Sequence, residues 1–476
     1  MEKSLSKGTE IPLEIEGLSF GGDGVARSGG MVVFVHGGVP GDTVLAVITK
    51  QRKNYCEANI VSVEKPSLYR ISPRCGHFGV CGGCRLQHII YDRQLFFKES
   101  HVRECLEHIG GMREVPVREI IRMQTPWFYR NKMEFTFGMA KDGEVVIGLH
   151  EAGRFDRVVD IVECFLQSPL SNSMLAAVRD FARRDNLRAY NPRAWRNLPD
   201  GSKYENPLPV QAHQAAPLLK NLVIRTGNDG RDYMVCIVTT PGDFSQVSTF
   251  KETILRDFPQ VKSLFWYRNP YVSGVAIAGE GSLLYGESFV EEKICGISLK
   301  VSPASFVQVN TMQVEVLYSV VQEFAELTGD ETVFDLYTGT GPIALILARA
   351  ARKVVALEIN ADAVNDARCN AEKNGISNVE FIEGDVEKHL PAVAEKDPPD
   401  VVVVDPPRAG VHKKAMRALL KLLPRCIVYV SCNPATLARD LKVFTESGYD
   451  ILGVQPIDMF PHTAHIESVA RLDRRV

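Results

Sequence analysis

The 476-residue chain has no apolar run approaching the ~18–20 residues that a membrane span needs. Its opening stretch, "MEKSLSKGTEIPLEIEG", holds no signal-peptide core. Neither absence leaves room for a membrane partner, and the cytosol is the expected location. The chain also lacks an excess of either charge, with 55 Lys+Arg against 58 Asp+Glu and a net charge of −3. A nucleic-acid partner would therefore be met by a local patch, not by the field of the whole molecule. No internal repeat or low-complexity tract interrupts it. What is present is ordinary for a globular protein, 45% hydrophobic and 24% charged, and too long for a single core, so two to four domains are expected. Eleven cysteines in a cytosolic chain point to free thiols or metal ligands, not disulfides.

Three segments follow from the patterning. Residues 1–66 alternate short β-branched runs with Gly-Gly, Gly-Asp and Pro-Gly turns, which predicts an OB-like β-barrel that binds an oligonucleotide or serves as a structural appendage. Residues 67–295 read as a mixed α+β unit, with part of 92–123 expected to pack on the next domain. It holds an arginine-rich stretch, Arg179, Arg183, Arg184, Arg188, Arg193 and Arg196 among Phe181, Tyr190 and Trp195. Such a run suits phosphates and unstacked bases, and equally suits a solvated helix face. From 296 to 476 strand, Gly-rich turn and helix repeat, which predicts parallel α/β winding.

In such a sheet ligands sit beyond the carboxyl ends of the strands. The first turn, Asp335-Leu336-Tyr337-Thr338-Gly339-Thr340-Gly341, lacks the Gly-Lys-Ser/Thr ending of a phosphate loop. With Ala344 it still fits the looser dinucleotide spacing. Glu358 stands nineteen residues after Gly339, placed to accept ribose hydroxyls, and Asp385 ends a third strand where it would receive an adenine amino group. The set resembles the class I, Rossmann-like methyltransferases that use S-adenosyl-L-methionine, a cofactor without phosphates, and Asp335 fits that family better than a dinucleotide site. After the fourth strand comes Asp405-Pro406-Pro407-Arg408, with Arg408 where amino-directed methyltransferases carry an aromatic. That turns attention from nitrogen to another acceptor.

The fifth strand ends in Ser431-Cys432-Asn433-Pro434. Cys432 is either a small packed thiol or a nucleophile at the ligand edge. A carbon acceptor would need the nucleophile, because a thiolate added to C6 of uracil makes C5 reactive, and a base such as Glu467, near His462 and His465, must then remove the C5 proton. "SFVQVN", "DLYTGTG", "DPPRAG", "VSCNPATLARD" and "FPHTAHIE" occur in an order that resembles the RNA uracil-5 methyltransferase family over nearly the whole chain. The resemblance implies Cys432 as nucleophile, Glu467 as base, and Gln308, Tyr337, Glu358 and Asp405 as cofactor contacts. Pro342 departs from it, since some members carry asparagine there. The RNA cytosine-5 methyltransferases place a Pro-Cys pair after the fourth strand, where this chain reads Pro406-Pro407.

Cys75, Cys81 and Cys84 form a C-x5-C-x2-C pattern that, with a distant fourth thiol (Cys56, Cys105 or Cys164), suits zinc or an iron–sulfur cluster. The ribosomal-RNA branch of the family carries this triplet with a [4Fe-4S] cluster and an N-terminal OB-like TRAM domain. The resemblance thus implies Cys75, Cys81, Cys84 and Cys164 as ligands and 23S ribosomal RNA as substrate, with no DNA partner and a monomeric enzyme. A transfer-RNA uracil-5 methyltransferase and a non-catalytic RNA-binding or ribosome-assembly factor are the alternatives.

Overall fold

The computed structural model describes residues 5–191, 217–272 and 274–475. Its first strands, β1 (Glu10–Glu14), β2 (Gly17–Leu18), β3 (Gly24–Ser28), β4 (Met31–His36), β5 (Thr43–Gln51) and β6 (Tyr55–Lys65), form one sheet in the order β1-β5-β6-β4-β3-β2. Alternate residues of β1 and β5 are buried, as a two-residue period requires. Leu13, Val33, Val35 and Ala46 fill the interior. Buried Asp42 ties this unit to the next segment by accepting from the Val39 and Ser67 amides and from Arg70.

Helix α1 (Tyr91–His108) leaves the barrel and packs through Val102 and Leu106 against residues of the C-terminal unit. A central sheet follows, built of β7 (Lys132–Met139), β8 (Val145–His150), β9 (Val158–Asp160), β10 (Leu219–Gly227), β11 (Asp232–Thr239), β12 (Val261–Arg268) and β13 (Glu280–Gly286), in the order β13-β12-β11-β10-β7-β8-β9. Helices α2 (Pro169–Arg184) and α3 (Val247–Asp257) cover it with Val178, Phe181, Phe250 and Ile254. The hairpin β14 (Val290–Ile294) and β15 (Ile297–Val301) turns at Cys295-Gly296, so the boundary expected after 295 falls inside one supersecondary unit. Both strands share a core with residues of the C-terminal unit.

That unit comprises α4 (Thr311–Ala325), β16 (Thr332–Leu336), α5 (Pro342–Leu347), β17 (Lys353–Glu358), α6 (Ala361–Lys373), β18 (Val379–Glu383), α7 (Val386–Lys396), β19 (Val401–Val404), α8 (Lys413–Leu422), β20 (Cys426–Ser431), α9 (Pro434–Glu446), β21 (Tyr449–Ile457) and β22 (Glu467–Arg474). The order is β18-β17-β16-β19-β20-β22-β21, parallel except for β22, which runs against both its neighbours. Helices on both faces explain why β19 reads Val-Val-Val-Val with all four residues buried. The order reverses beside β16, and a ligand crevice opens at such a switch point. Among the described residues no helix is long and apolar enough to cross a membrane.

Candidate active site

At that switch point a cavity of about 670 Å³ opens, and Gln308, Tyr337, Glu358, Asp405, Cys432 and Glu467 all line it. The Gly-rich turn is shaped by left-handed backbone at Tyr337, Gly339 and Gly341. At Gly341 (φ +85°) a Cβ would also meet the Phe381 ring at 3.0 Å, so glycine is required twice over. Glu358 braces the turn, one oxygen accepting from the Gly339 amide at 3.0 Å and the other from the Asn360 amide at 2.9 Å. Pro342 takes the first position of α5, where its missing N–H leaves no bond unmade. Gln308 sits on a loop held from the central sheet, its carbonyl accepting from the Asn131 amide side chain at 3.2 Å.

Among the described residues lining the cavity, Arg408 is the single lysine or arginine. A diphosphate would sit poorly there, whereas S-adenosyl-L-methionine needs no basic cradle. Asp335 beneath the turn is fully buried; burial pushes its carboxyl up to about 7 although the Thr338 hydroxyl donates to it, and its Oδ1 has no partner. Burial likewise pushes Asp405 up to about 7. Asp385 lies off the lining. Its side chain caps α7 by accepting from the Glu387 amide through Oδ1.

Sheet register brings Cys432 and Glu467 together. Ser431 of β20 stands opposite Ser468 of β22, so Cys432, one residue beyond, faces Glu467, one residue before. Burial raises the Cys432 thiol, and the charges of Glu467 and Asp405 raise it further, while Arg408 draws it down. Glu467 is buried and pushed well above the usual carboxylate range, first by burial and then by Asp405, with Arg408 again opposing. Arg408 thus acts on both groups, a role the sequence showed only as a missing aromatic. Tyr318 of α4 also lines the cavity, fully enclosed and within the fields of Asp335, Asp405 and Glu467. No motif marks it. His465 lines the cavity as a neutral ring, lowered to about 4 by burial, and His462 stays outside.

The arginine-rich stretch divides. Arg179 and Arg183 pair with Asp160 of β9, and Phe181 is core. Arg193, Trp195 and Arg196 lie outside the described residues. Cys75, Cys81, Cys84 and Cys164 are free thiols. They lie near one another: burial pushes Cys81 up to about 11 and Cys84 up to about 12, and the charge of Cys164 adds to both. Among the described residues, however, no group of three or more His, Cys, Asp or Glu side chains is arranged to hold a metal ion. The expected tetrad is a gathering of thiols and not a formed ligand set.

Comparison with known proteins gives this geometry its context. The model of the tRNA (uracil-5-)-methyltransferase family matches residues 287–475, and that of the TRAM domain matches residues 5–61. An uncharacterized RNA methyltransferase of Halalkalibacterium halodurans is 37% identical over 470 residues, 98% of each chain. The chain belongs to the RNA uracil-5 methyltransferase family. A second uncharacterized RNA methyltransferase, from Porphyromonas gingivalis, is 37% identical over 97% of this methyltransferase and 99% of its own length. Among solved structures, the Pyrococcus abyssi tRNA (uracil-54, C5)-methyltransferase in complex with S-adenosyl-L-homocysteine superposes with a TM-score of 0.74, at 27% identity, over 97% of this chain and 100% of the other. The enzyme is a SAM-dependent RNA methyltransferase with an N-terminal TRAM domain.

Proposed function

We propose that the enzyme methylates C5 of a specific uridine in 23S ribosomal RNA, acting as a cytosolic monomer. The facing of Cys432 and Glu467 across the β20–β22 register, inside the cofactor cavity, carries this reading. When bound, S-adenosylmethionine would supply an electrophilic methyl group, its sulfonium S–CH3 bond breaking to leave S-adenosylhomocysteine. Cys432 Sγ adds to C6 of the uracil, and the electron pair of the C5–C6 double bond moves onto C5, which takes the methyl group. C5 then bears both methyl and hydrogen. The Glu467 carboxylate removes that proton, the C5–C6 double bond re-forms, and the C6–S bond breaks to release the thiolate. Arg408 favours both ionised forms. The target base must leave its stack to reach Cys432.

For the four thiols we propose a [4Fe-4S] cluster held by Cys75, Cys81, Cys84 and Cys164. The support is the donor chemistry, four free thiols gathered in one region of the central unit. Methyl transfer needs no electrons, so the cluster is assigned a structural part. Iron and acid-labile sulfide measured on protein purified without oxygen test it, and their absence would remove the assignment.

A transfer-RNA substrate is the second reading, favoured by one observation: a tRNA uracil-54 enzyme matches along 97% of this chain, so the barrel does not separate the branches. Transfer of labelled methyl to unmodified ribosomal and transfer RNA decides between them. Label in 5-methyluridine of ribosomal RNA, absent with Cys432→Ala, is expected. Label confined to transfer RNA would replace the substrate, and label in neither would favour an RNA-binding factor.

A further inference from the structure

His462 touches neither cavity nor thiols, yet its backbone, its Nδ1 and one face of its ring are all held, while its Nε2 is buried without a partner. It is 4% exposed and holds a left-handed backbone (φ 65°), uncommon for a residue with a side chain. Its amide donates to Gln94 Oε1 at 3.1 Å, and its Nδ1 lies 3.2 Å from Gln94 Nε2. Its ring stacks on Trp127, centroids 3.8 Å apart at 25°, and the Arg74 guanidinium lies 5.3 Å from the Trp127 centroid. Its carbonyl accepts two amides, those of Arg85 at 2.9 Å and Leu86 at 3.0 Å, the residues that directly follow Cys84.

The rest of the segment is fastened in the same way. Asp458 pairs with buried Lys98 at 2.6 Å and accepts from the Tyr91 hydroxyl at 2.8 Å. Asn310 donates to the Met459 carbonyl at 2.8 Å, and Tyr129 donates to the Pro461 carbonyl at 3.0 Å. The segment lines the cavity first at Phe460 and, beyond His462, again at His465 and Glu467. The last fixed point before those two residues that belongs to the cysteine loop is the His462 carbonyl. Its partners are backbone amides, so the contact depends on how the cysteine loop is folded and not on which side chains it carries.

We propose that His462 is a positioning residue that fastens the Asp458–Glu467 segment to the cysteine loop and thereby places the Glu467 carboxylate against the C5 proton. The half of the molecule that carries the TRAM domain is in this way coupled to the elimination step and not to methyl transfer. This rests on Glu467 being the base.

The test uses the full-length enzyme, the RNA that accepts label from it, and labelled S-adenosylmethionine. His462→Ala is expected to form the methylated, denaturation-resistant protein–RNA adduct at the wild-type rate and to release product about a hundredfold more slowly, the cost of a misplacement near 1 Å. KM for S-adenosylmethionine stays unchanged. His462→Asn, whose side chain tolerates left-handed backbone, restores part of the release rate and keeps the test open should the alanine variant not fold. Amide exchange across 458–467 rises in both. Glu467→Gln run alongside separates the two readings. If it accumulates no adduct, the assignment of the base fails and this proposal falls with it. If it does accumulate adduct while the His462 variants release product normally, or slow both steps alike, the base stands and the positioning role is overturned.

Discussion

At Cys432 and Glu467, the proposed nucleophile and base, the enzyme holds two acids that would work in their ionised forms, in a place that disfavours both. Each has been raised, so each loses its proton only at higher pH. The rate at limiting RNA is therefore expected to go on climbing with pH past the point where ordinary carboxylates have finished titrating. A pH–rate profile already flat above neutrality would contradict this. Arg408 is the counterweight to both shifts, so Arg408→Gln moves the ascending limb to higher pH and lowers the rate most at the acidic end. Glu467→Gln, in contrast, keeps the thiol and lacks the base. It is expected to leave RNA covalently attached to the protein, seen as a slow-migrating band in a denaturing gel, where Cys432→Ala leaves none.

Elements hold these residues by contacts that cross the chain. Lys98 of α1 is 2% exposed at its side chain and Asp458 is 0%, and their 2.6 Å pair joins the helix after the cysteine loop to the end of β21. Lys98→Met leaves an unpaired buried carboxylate and is expected to cost about 3–5 kcal/mol in denaturant unfolding; Lys98→Met with Asp458→Asn recovers part of it. Much of the site was legible in the sequence because its strands are buried on both faces and end on turns with unusual residues, as "DVVVVDPPRAG" shows. Cys432 and Glu467 could each be named from a motif. Their facing could not, because it comes from an antiparallel strand inserted beside a parallel one. Arg179 and Arg183 were ambiguous for a related reason: what decides between a nucleic-acid patch and an internal ion pair is Asp160, about twenty residues away on another element. Asp385 could be placed at the end of a strand from the sequence, but its capping of the following helix could not.

For the whole molecule, the buried acids impose a pH dependence on stability. Asp335 and Asp405 titrate near 7 when folded, against an ordinary value of 3.8. Between those values the folded state keeps protons that the unfolded chain has lost, so stability falls as pH rises through the window, by about 1.4 kcal/mol per unit of raised pKa. In a series of thermal melts of the cofactor-free enzyme, Asp335→Asn is expected to gain on the wild type as pH rises from 5 to 7, because it lacks this loss. The β20–β22 register has a different consequence, for chain length. Thirty-four residues lie between Cys432 and Glu467 along the sequence, while in the sheet they are one pairing step beyond Ser431 and Ser468. One residue inserted within β22 would turn the carboxylate to the opposite face. The exposed Glu446-Ser447 step after α9 lies between the two strands and outside their pairing. A reporter peptide spliced in there would lengthen the protein without lengthening the path of the proton.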